Sequence, residues 1–509
     1  MGRGFFTVGV WTLLSRILGF LRDALIVAYL GTGPAYQAFI IAFSLPNMFR
    51  RFFAEGAFNM AFVPMFSKKL EGKEDAEGFA RDALTALGLI LLGLTLLASL
   101  FMPYLVLAMA SGFSGQAQFD LSVEFGRIAF PYIFFISLAA LLSGVLNATG
   151  RFGAAAAAPV LLNVLFIGAV VLASFMGWDI ARALIWAVPL AGLAQAGLVW
   201  VAARRAGFNL LPRRIRLTPD LKRLAIIAAP AALAGGVVQV NLLVGRQVAS
   251  YFDSAVSWLY TADRLYQLPL GVVGIAIGIV LLPELSRRLK AEDTAGAQEA
   301  FSRAGEISLA LTIPSAVALA VVPAPLVSVL FERGLFTAHD TQETALAVAI
   351  YGLGLPAFVL QKVLQPLYFA RADTRRPFHY AVFAMVVNAA LAIGLAPFIG
   401  WIAAAIATTG AGWAMVVLLW LGARRYGAAS QFDARFRRAL PRIILASAVM
   451  GAALLALAEA MSPLFQTAGL RYGALAILVM GGGAVYAIAG QLLGAFSARD
   501  LLSGLRRRA

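Results

Sequence analysis

The sequence predicts an all-α, polytopic membrane protein of about fourteen transmembrane helices, arranged as two parallel six-helix repeats plus a C-terminal helix pair. Three observations lead there. Hydrophobic residues fill 61% of the 509 positions and charged residues only 13%, too little polar surface for a chain of this size to fold in water. Apolar segments, each with the ~20 residues that a span requires, follow one another with short polar breaks. The basic residues cluster on every second connection.

Taken in order, the first segment, 5–30, holds Arg16, Arg22 and Asp23, and no small-residue cleavage site follows it, so it reads as a retained span and not a signal peptide. Segment 36–66 is longer than a crossing needs and carries Pro46 and Gly56. Segments 79–110, 121–147, 155–176 and 180–203 complete the first six. The second six are 220–250, 256–288 (with Pro269, Gly271 and Gly274), 299–331, 343–370, 377–396 and 399–424. The last pair is 438–460 and 471–497, where Gly481, Gly482 and Gly483 suit close helix packing. Interior Pro and Gly at these depths mark either backbone that lines a cavity or packing kinks.

The net charge of +16 would suggest nucleic acid in a soluble protein, but its placement argues for a membrane instead. Of 41 Lys and Arg, 30 fall in or beside connections on the side of the N-terminus, 4 in or beside those on the opposite side (Arg127, Arg182, Arg333, Arg471) and 7 deeper within helices. That asymmetry predicts an inner-membrane protein with both termini cytoplasmic and no nucleic-acid partner. The stretch Arg204 to Arg223 is a topology anchor or a site for anionic lipid or a partner. With no cysteine and two isolated histidines, His339 and His379, no metal and no cofactor is expected. Nor is there a phosphate-cradling glycine loop, a histidine paired with a nucleophile, or an acid cluster with ligand spacing, so the chain does not read as an enzyme.

An internal echo sets the domain organisation. The second helix ends Pro64-Met65-Phe66-Ser67-Lys68-Lys69-Leu70 and the eighth ends Pro283-Glu284-Leu285-Ser286-Arg287-Arg288-Leu289, the same pattern six helices later. Pro131 in helix four and Pro356 in helix ten form a looser pair. An even spacing keeps both copies on one side, which predicts parallel halves at 1–215 and 216–426 with 427–509 outside the repeat. Two such bundles leave a central cleft suited to alternating access.

Charged residues inside the spans point to the cargo. Arg16, Arg22 and Asp23 lie in the first helix, Arg50, Arg51 and Glu55 in the second, Asp263 and Arg264 in the eighth. Each ionised Arg at a helix centre opposes insertion by about 2.5–3.5 kcal/mol unless it faces water, an acid or an anionic ligand. Six of the seven basic residues within helices are Arg, the planar fork that holds phosphate oxygens bidentately. Arg16 also shares a helix face with Asp23, seven residues on, so an internal ion pair competes with ligand binding. Three acids against five arginines still leave a positive surplus, which favours an anion-binding cavity.

Ser15-Arg16-Ile17-Leu18-Gly19-Phe20-Leu21-Arg22-Asp23 and Leu45-Pro46-Asn47-Met48-Phe49-Arg50-Arg51-Phe52-Phe53-Ala54-Glu55-Gly56-Ala57-Phe58 closely resemble the MurJ (MviN) lipid II flippase family. Ala262-Asp263-Arg264-Leu265 with Pro269-Leu270-Gly271-Val272-Val273-Gly274 looks like that family's eighth helix. The resemblance runs from about 5 to 500 and implies outward movement of undecaprenyl-diphosphate-linked disaccharide pentapeptide for peptidoglycan synthesis. It implies that Arg16, Arg22, Arg50 and Arg264 grip the diphosphate and head group, and that Asp23, Glu55, Ser257 and Asp263 line or order the cavity. It implies lipid II and membrane lipids as partners, cell-wall synthesis proteins as further ones, and a polyprenyl-tail groove in 427–509. Two departures stand out: Gln37 occupies a position where many relatives carry Asp, and of a sodium site only Asn241, Asn388 and Thr408 are in place, with Ala392 where an acid would ligate.

Other functions fit less well. A cation-drug exporter should line its cavity with negative charge, a scaffold has no use for buried arginines, and a polyprenyl-phosphate transferase needs acids at the membrane surface that Ser111–Asp120 and Glu332–Glu343 supply too sparsely. A flippase for another polyprenyl-linked glycan remains the nearest alternative.

Overall fold

The structure, a computed structural model, describes residues 2–50, 57–214, 216–467 and 469–495. These are helical almost throughout, and nine of the helical stretches among them are long and apolar enough to cross a membrane. Their outward faces carry large apolar side chains, such as Phe175 at 85% and Leu492 at 83% exposure, which makes lipid the solvent for this multi-pass membrane protein. The chain forms two compact units.

The first unit comprises Met1–Ser257 with Arg333–Phe336. It contains α1 (Gly2–Leu30), α2 (Pro34–Arg50), α3 (Ala57–Glu71), α4 (Ala76–Leu100), α5 (Met102–Ala110), α6 (Ala117–Ala129), α7 (Tyr132–Ala148), α8 (Gly153–Met176), α9 (Ile180–Arg205) and α10 (Pro219–Ala249). Polar starts are capped as the sequence dictates: Asp75 accepts from Gly78 N at 2.7 Å, Asp179 from Arg182 N at 3.1 Å and Thr218 from Leu221 N at 3.3 Å. α1 packs on α8, α2 on α6, and α9 on both α7 and α8. α10 lies against α3 and α5, and Gln247 fastens it by accepting from Ser111 N at 2.8 Å and donating to Leu107 O at 3.1 Å. By packing, then, the first compact unit takes in α10, whereas the sequence repeat divides the chain before it.

Arg333–Phe336 closes onto the end of α1, where Leu335 N donates to Ala28 O at 2.8 Å. Gly334 is required there, because φ is +60° and a Cβ would fall 2.1 Å from Ala28 O.

The second unit comprises Trp258–Glu332 with Thr337–Ala509. It holds most of α11 (Ala255–Lys290), then α12 (Thr294–Val321), α13 (Pro323–Phe331), α14 (Ala338–Phe369), α15 (Arg375–Ile399), α16 (Ala403–Ala423), α17 (Ala434–Ala460), α18 (Ser462–Gln466) and α19 (Leu470–Leu492). α14 packs on α12 and α16, α16 on α15, and α17 on α12 and α19. An ionic network joins α12 to the start of α17: Arg303 pairs with Glu306 and, at 2.5 Å, with Asp433, and Arg435 reaches Glu306 at 3.3 Å. Gly482 permits the tight α17–α19 contact, since a Cβ there would meet Leu454 Cδ2 at 2.7 Å.

Three expected spans are divided where proline falls. 79–110 splits into α4 and α5 with Pro103 in the first turn of α5, 121–147 into α6 and α7 at Pro131, and 299–331 into α12 and α13 at Pro323. A proline has no N–H for the preceding turn and fits the first turn of a new helix, so each break follows from the residue. α5 and α13 are both nine residues long.

Candidate functional site

The polar face of α1 is built on a seven-residue spacing. Seven residues advance a helix to within about 20° of two full turns, so Ser15 and Arg22 share one face and Arg16 and Asp23 share the next. Arg22 is 7% exposed and Asp23 6%. The Arg22 guanidinium folds onto its chain neighbour, donating to Asp23 Oδ1 from Nη2 at 2.6 Å and from Nε at 2.9 Å. Its Nη1 donates to Asn163 Oδ1 at 3.0 Å, and its Cζ stands 5.6 Å from the ring centroid of Phe166. Asn163 and Phe166 are one turn apart on α8, so a single face of that helix presents both.

Asn163 also donates from Nδ2 to Ser15 O at 2.9 Å and Ser15 Oγ at 3.3 Å. One buried amide therefore bridges the two ends of a seven-residue face on α1 and fixes the plane of the Arg22 fork. An ion pair this buried loses much of its Coulomb gain to desolvation, and removing one partner costs about 3–5 kcal/mol. It is a rigid, oriented group.

Arg16 is different. It lies at the midpoint of α1, half-buried, and no hydrogen bond or ion pair holds its guanidinium among the described residues. The competing pair with Asp23 is not formed, because the adjacent Arg22 takes that carboxylate. Arg50 is half-buried in the last turn of α2, where its Nε donates to Asn47 Oδ1 at 3.3 Å and Asn47 Nδ2 in turn to Phe43 O at 2.9 Å. Arg51, Glu55 and Gly56 lie outside the described residues.

On α11 two polar contacts run along the helix itself. Arg264 is half-buried, donates from Nη2 to Tyr260 Oη, and lays its Cζ 4.4 Å from the Tyr260 ring centroid. Asp263 accepts from Gln267 Nε2. Both pairs are four residues apart, the spacing that brings helical side chains together. Ser257 is fully buried at the start of α11 and donates from Oγ to Thr32 O at 3.0 Å. The structure thus groups Arg22 and Asp23 with Ser15 and Asn163, and in the first unit also places Arg16, Arg50 and Ser257; Asp263 and Arg264 belong to the second.

Asn163 and Ser15 were missed by sequence reasoning, although Asn163 is the lone amide in the apolar run 155–176 and a polar group in a span must find a partner. Gln37 is 2% exposed, and its Oε1 accepts no hydrogen bond among the described residues. Thr408 donates to Ala404 O on its own helix at 2.9 Å, and the side chain of Asn241 lies outside the described set. Among the described residues no group of three or more His, Asp or Glu could hold a metal ion. Part of the basic loop is structural: Arg213 donates from Nε at 2.7 Å to Asp82, which raises its pKa further above the ordinary value, and from Nη2 to Gly78 O at 2.9 Å.

Comparison with known proteins gives a consistent result. A family profile described as "Lipid II flippase MurJ" matches residues 26–472. The probable lipid II flippase MurJ of Rhizobium tropici is 43% identical over 514 residues, spanning 99% of this chain and 96% of the relative. A solved lipid II flippase MurJ in an inward closed conformation superposes with a TM-score of 0.80 at 26% identity, covering 97% of this chain and 99% of that one. An inward-facing multidrug resistance MATE family transporter of the MOP superfamily matches with a TM-score of 0.68 at 15% identity, over 82% of this chain and 95% of that one, a likeness of fold alone.

Proposed function

Since the chain belongs to the lipid II flippase MurJ family, we propose that it carries lipid II from the cytoplasmic to the periplasmic face of the bacterial inner membrane by alternating access. The cargo is an amphiphile with a diphosphate between a polyprenyl tail and a glycan head. Moving it needs no covalent step. What it needs is a group within the bilayer that replaces the water around the phosphates, and arginine supplies this with a fork of N–H donors and a permanent charge.

One observation carries this reading: Arg16 stands at the middle of a 29-residue apolar helix with no protein partner for its guanidinium among the described residues. A membrane protein that keeps such a charge at the middle of an apolar helix has a use for the charge. In the proposed mechanism Arg16 takes the phosphate oxygens directly. Arg22, held by Asp23 and Asn163, presents a fork whose orientation is set in advance, so little ordering entropy is lost on binding. Arg50 and Arg264 complete the grip on the head group.

The halves that alternate are 1–215 and 216–426, and the nine-residue helices α5 and α13, each following a proline-initiated break six spans apart, support that division. The pair at 427–509 accommodates the polyprenyl tail. Both termini face the cytoplasm, from the distribution of Lys and Arg. With no nucleotide-binding motif in the sequence, an ion gradient, the membrane potential or consumption of lipid II outside drives the cycle. Cell-wall synthesis proteins are its expected neighbours.

The test is depletion of the protein in its own cell, followed by an assay of which membrane face exposes lipid II. Outward exposure should fall while lipid II accumulates inside. Undiminished exposure, with another polyprenyl-linked glycan accumulating instead, would transfer the function to that cargo.

A further inference from the structure

Between α16 and α17 the chain runs through a 3-10 stretch, Arg424–Ser430, and leaves a pocket of about 580 Å³. Its buried side is aromatic: Phe436 is 5% exposed and stacks on Phe432 with ring centroids 3.8 Å apart, and Leu440 extends the apolar surface one turn further. Trp420 forms another wall, and the Cζ of Arg424 lies 4.3 Å from its ring centroid, which fixes that guanidinium at the rim. Arg437 supplies a second cation to the lining.

The neighbouring charges are already engaged. Arg435 donates to Glu306 at 3.3 Å, Arg438 to Ala434 O at 3.2 Å and Arg442 to Gly494 O at 2.9 Å. Asp433, the one acid among six arginines between 421 and 442, is taken by Arg303 at 2.5 Å and by Phe436 N at 2.7 Å. Ser430 gives its hydroxyl to Ala423 O at 2.6 Å. Arg424 and Arg437 alone of the pocket's charged groups have no hydrogen bond or ion pair through their guanidinium groups among the described residues. The pocket therefore holds two uncompensated positive charges.

Its depth is set by the spans around it. One apolar span ends and the next begins at this point, where a tryptophan and basic side chains meet the headgroup layer. The two guanidinium groups and the apolar, aromatic side chains of Phe432, Phe436 and Leu440 share one lining.

We propose that this pocket binds an anionic glycerophospholipid, its phosphodiester between Arg424 and Arg437 and the first carbons of an acyl chain against Phe432, Phe436 and Leu440. A free phosphate would satisfy the arginines but leave the aromatic wall without an apolar partner, and a zwitterionic lipid would bring its own cation against them. The bound lipid braces the junction between α16 and the C-terminal helix pair. This site is separate from the arginines assigned to the diphosphate, Arg16, Arg22, Arg50 and Arg264, and lies at the start of the segment assigned to the polyprenyl tail.

The test uses the purified full-length protein in mild detergent, with phosphatidylglycerol binding followed by native mass spectrometry and by equilibrium titration of a fluorescent analogue. Arg424→Ala/Arg437→Ala should weaken phosphatidylglycerol binding by about thirtyfold, as expected for two basic contacts at a headgroup. Arg438→Ala, the same loss of charge next door, should leave binding little changed, and phosphatidylcholine should bind weakly to every form. Millimolar inorganic phosphate should not displace the lipid. Should the alanine pair lower the melting temperature, Arg424→Gln/Arg437→Gln keeps the bulk and removes only the charge. Wild-type affinity in the double variant, equal binding of phosphatidylcholine, or displacement by phosphate would each overturn the proposal.

Discussion

Two membrane-embedded arginines, Arg22 on α1 and Arg264 on α11, are held in opposite ways. Arg22 is fixed by another helix: Asn163 of α8 bonds both it and Ser15, and Asp23 takes the rest of the fork. Arg264 lies on Tyr260, one turn back on its own helix, and is half-buried. The first arrangement ties stability and ligand geometry together. The second sets the guanidinium against a ring one turn back on the same helix, and its removal should touch transport most directly.

The largest effect is expected at α1. Arg22→Ala removes the guanidinium from which the buried Asp23 carboxylate accepts two hydrogen bonds, and purified protein should lose about 3–5 kcal/mol of stability, seen as a lower melting temperature, together with outward lipid II exposure. If Arg264→Ala destabilises the protein as much, the contrast between the two helices is wrong. Next comes Asn163→Ala, which leaves Arg22 and Ser15 short of a partner and should cost about 1–3 kcal/mol; transport should drop while Asn163→Gln fails to rescue it, because the longer amide no longer spans Ser15 and Arg22.

Arg264→Ala should abolish outward exposure in cells, and the loss of its cation–π contact with Tyr260 should lower the melting temperature by the equivalent of about 1 kcal/mol. Tyr260→Phe keeps the ring and loses the hydroxyl, so its effect on either readout should be the smallest, on the order of 0.5–1 kcal/mol. A Tyr260→Phe variant that fails in transport would show that the hydroxyl, and not the ring, positions Arg264.

This same contrast explains how much was legible in the sequence. The helices were, since apolar length and prolines dictate them; even the breaks at Pro103, Pro131 and Pro323 follow from the residues once a first-turn preference is applied. The Tyr260–Arg264 and Asp263–Gln267 contacts are four apart and lie within the reach of spacing arguments. Asn163 was not reachable that way, because it sits 141 residues from Arg22 and only packing of α1 on α8 brings them together. Spacing offered Arg16 and Asp23 as one alternative pair: the shared face is real, but the guanidinium of the adjacent Arg22 takes the carboxylate. Ser257 shows the converse, a polar residue in a motif-bearing helix whose hydroxyl serves a backbone carbonyl.

The decisive measurement is lipid II binding by purified wild-type protein and Arg16→Ala, each checked by melting temperature. Because no protein group among the described residues depends on the Arg16 guanidinium, the variant should melt as the wild type does and bind lipid II at least about tenfold more weakly, the loss of one charge-assisted phosphate contact. Equal affinity in a fully folded variant would contradict the account.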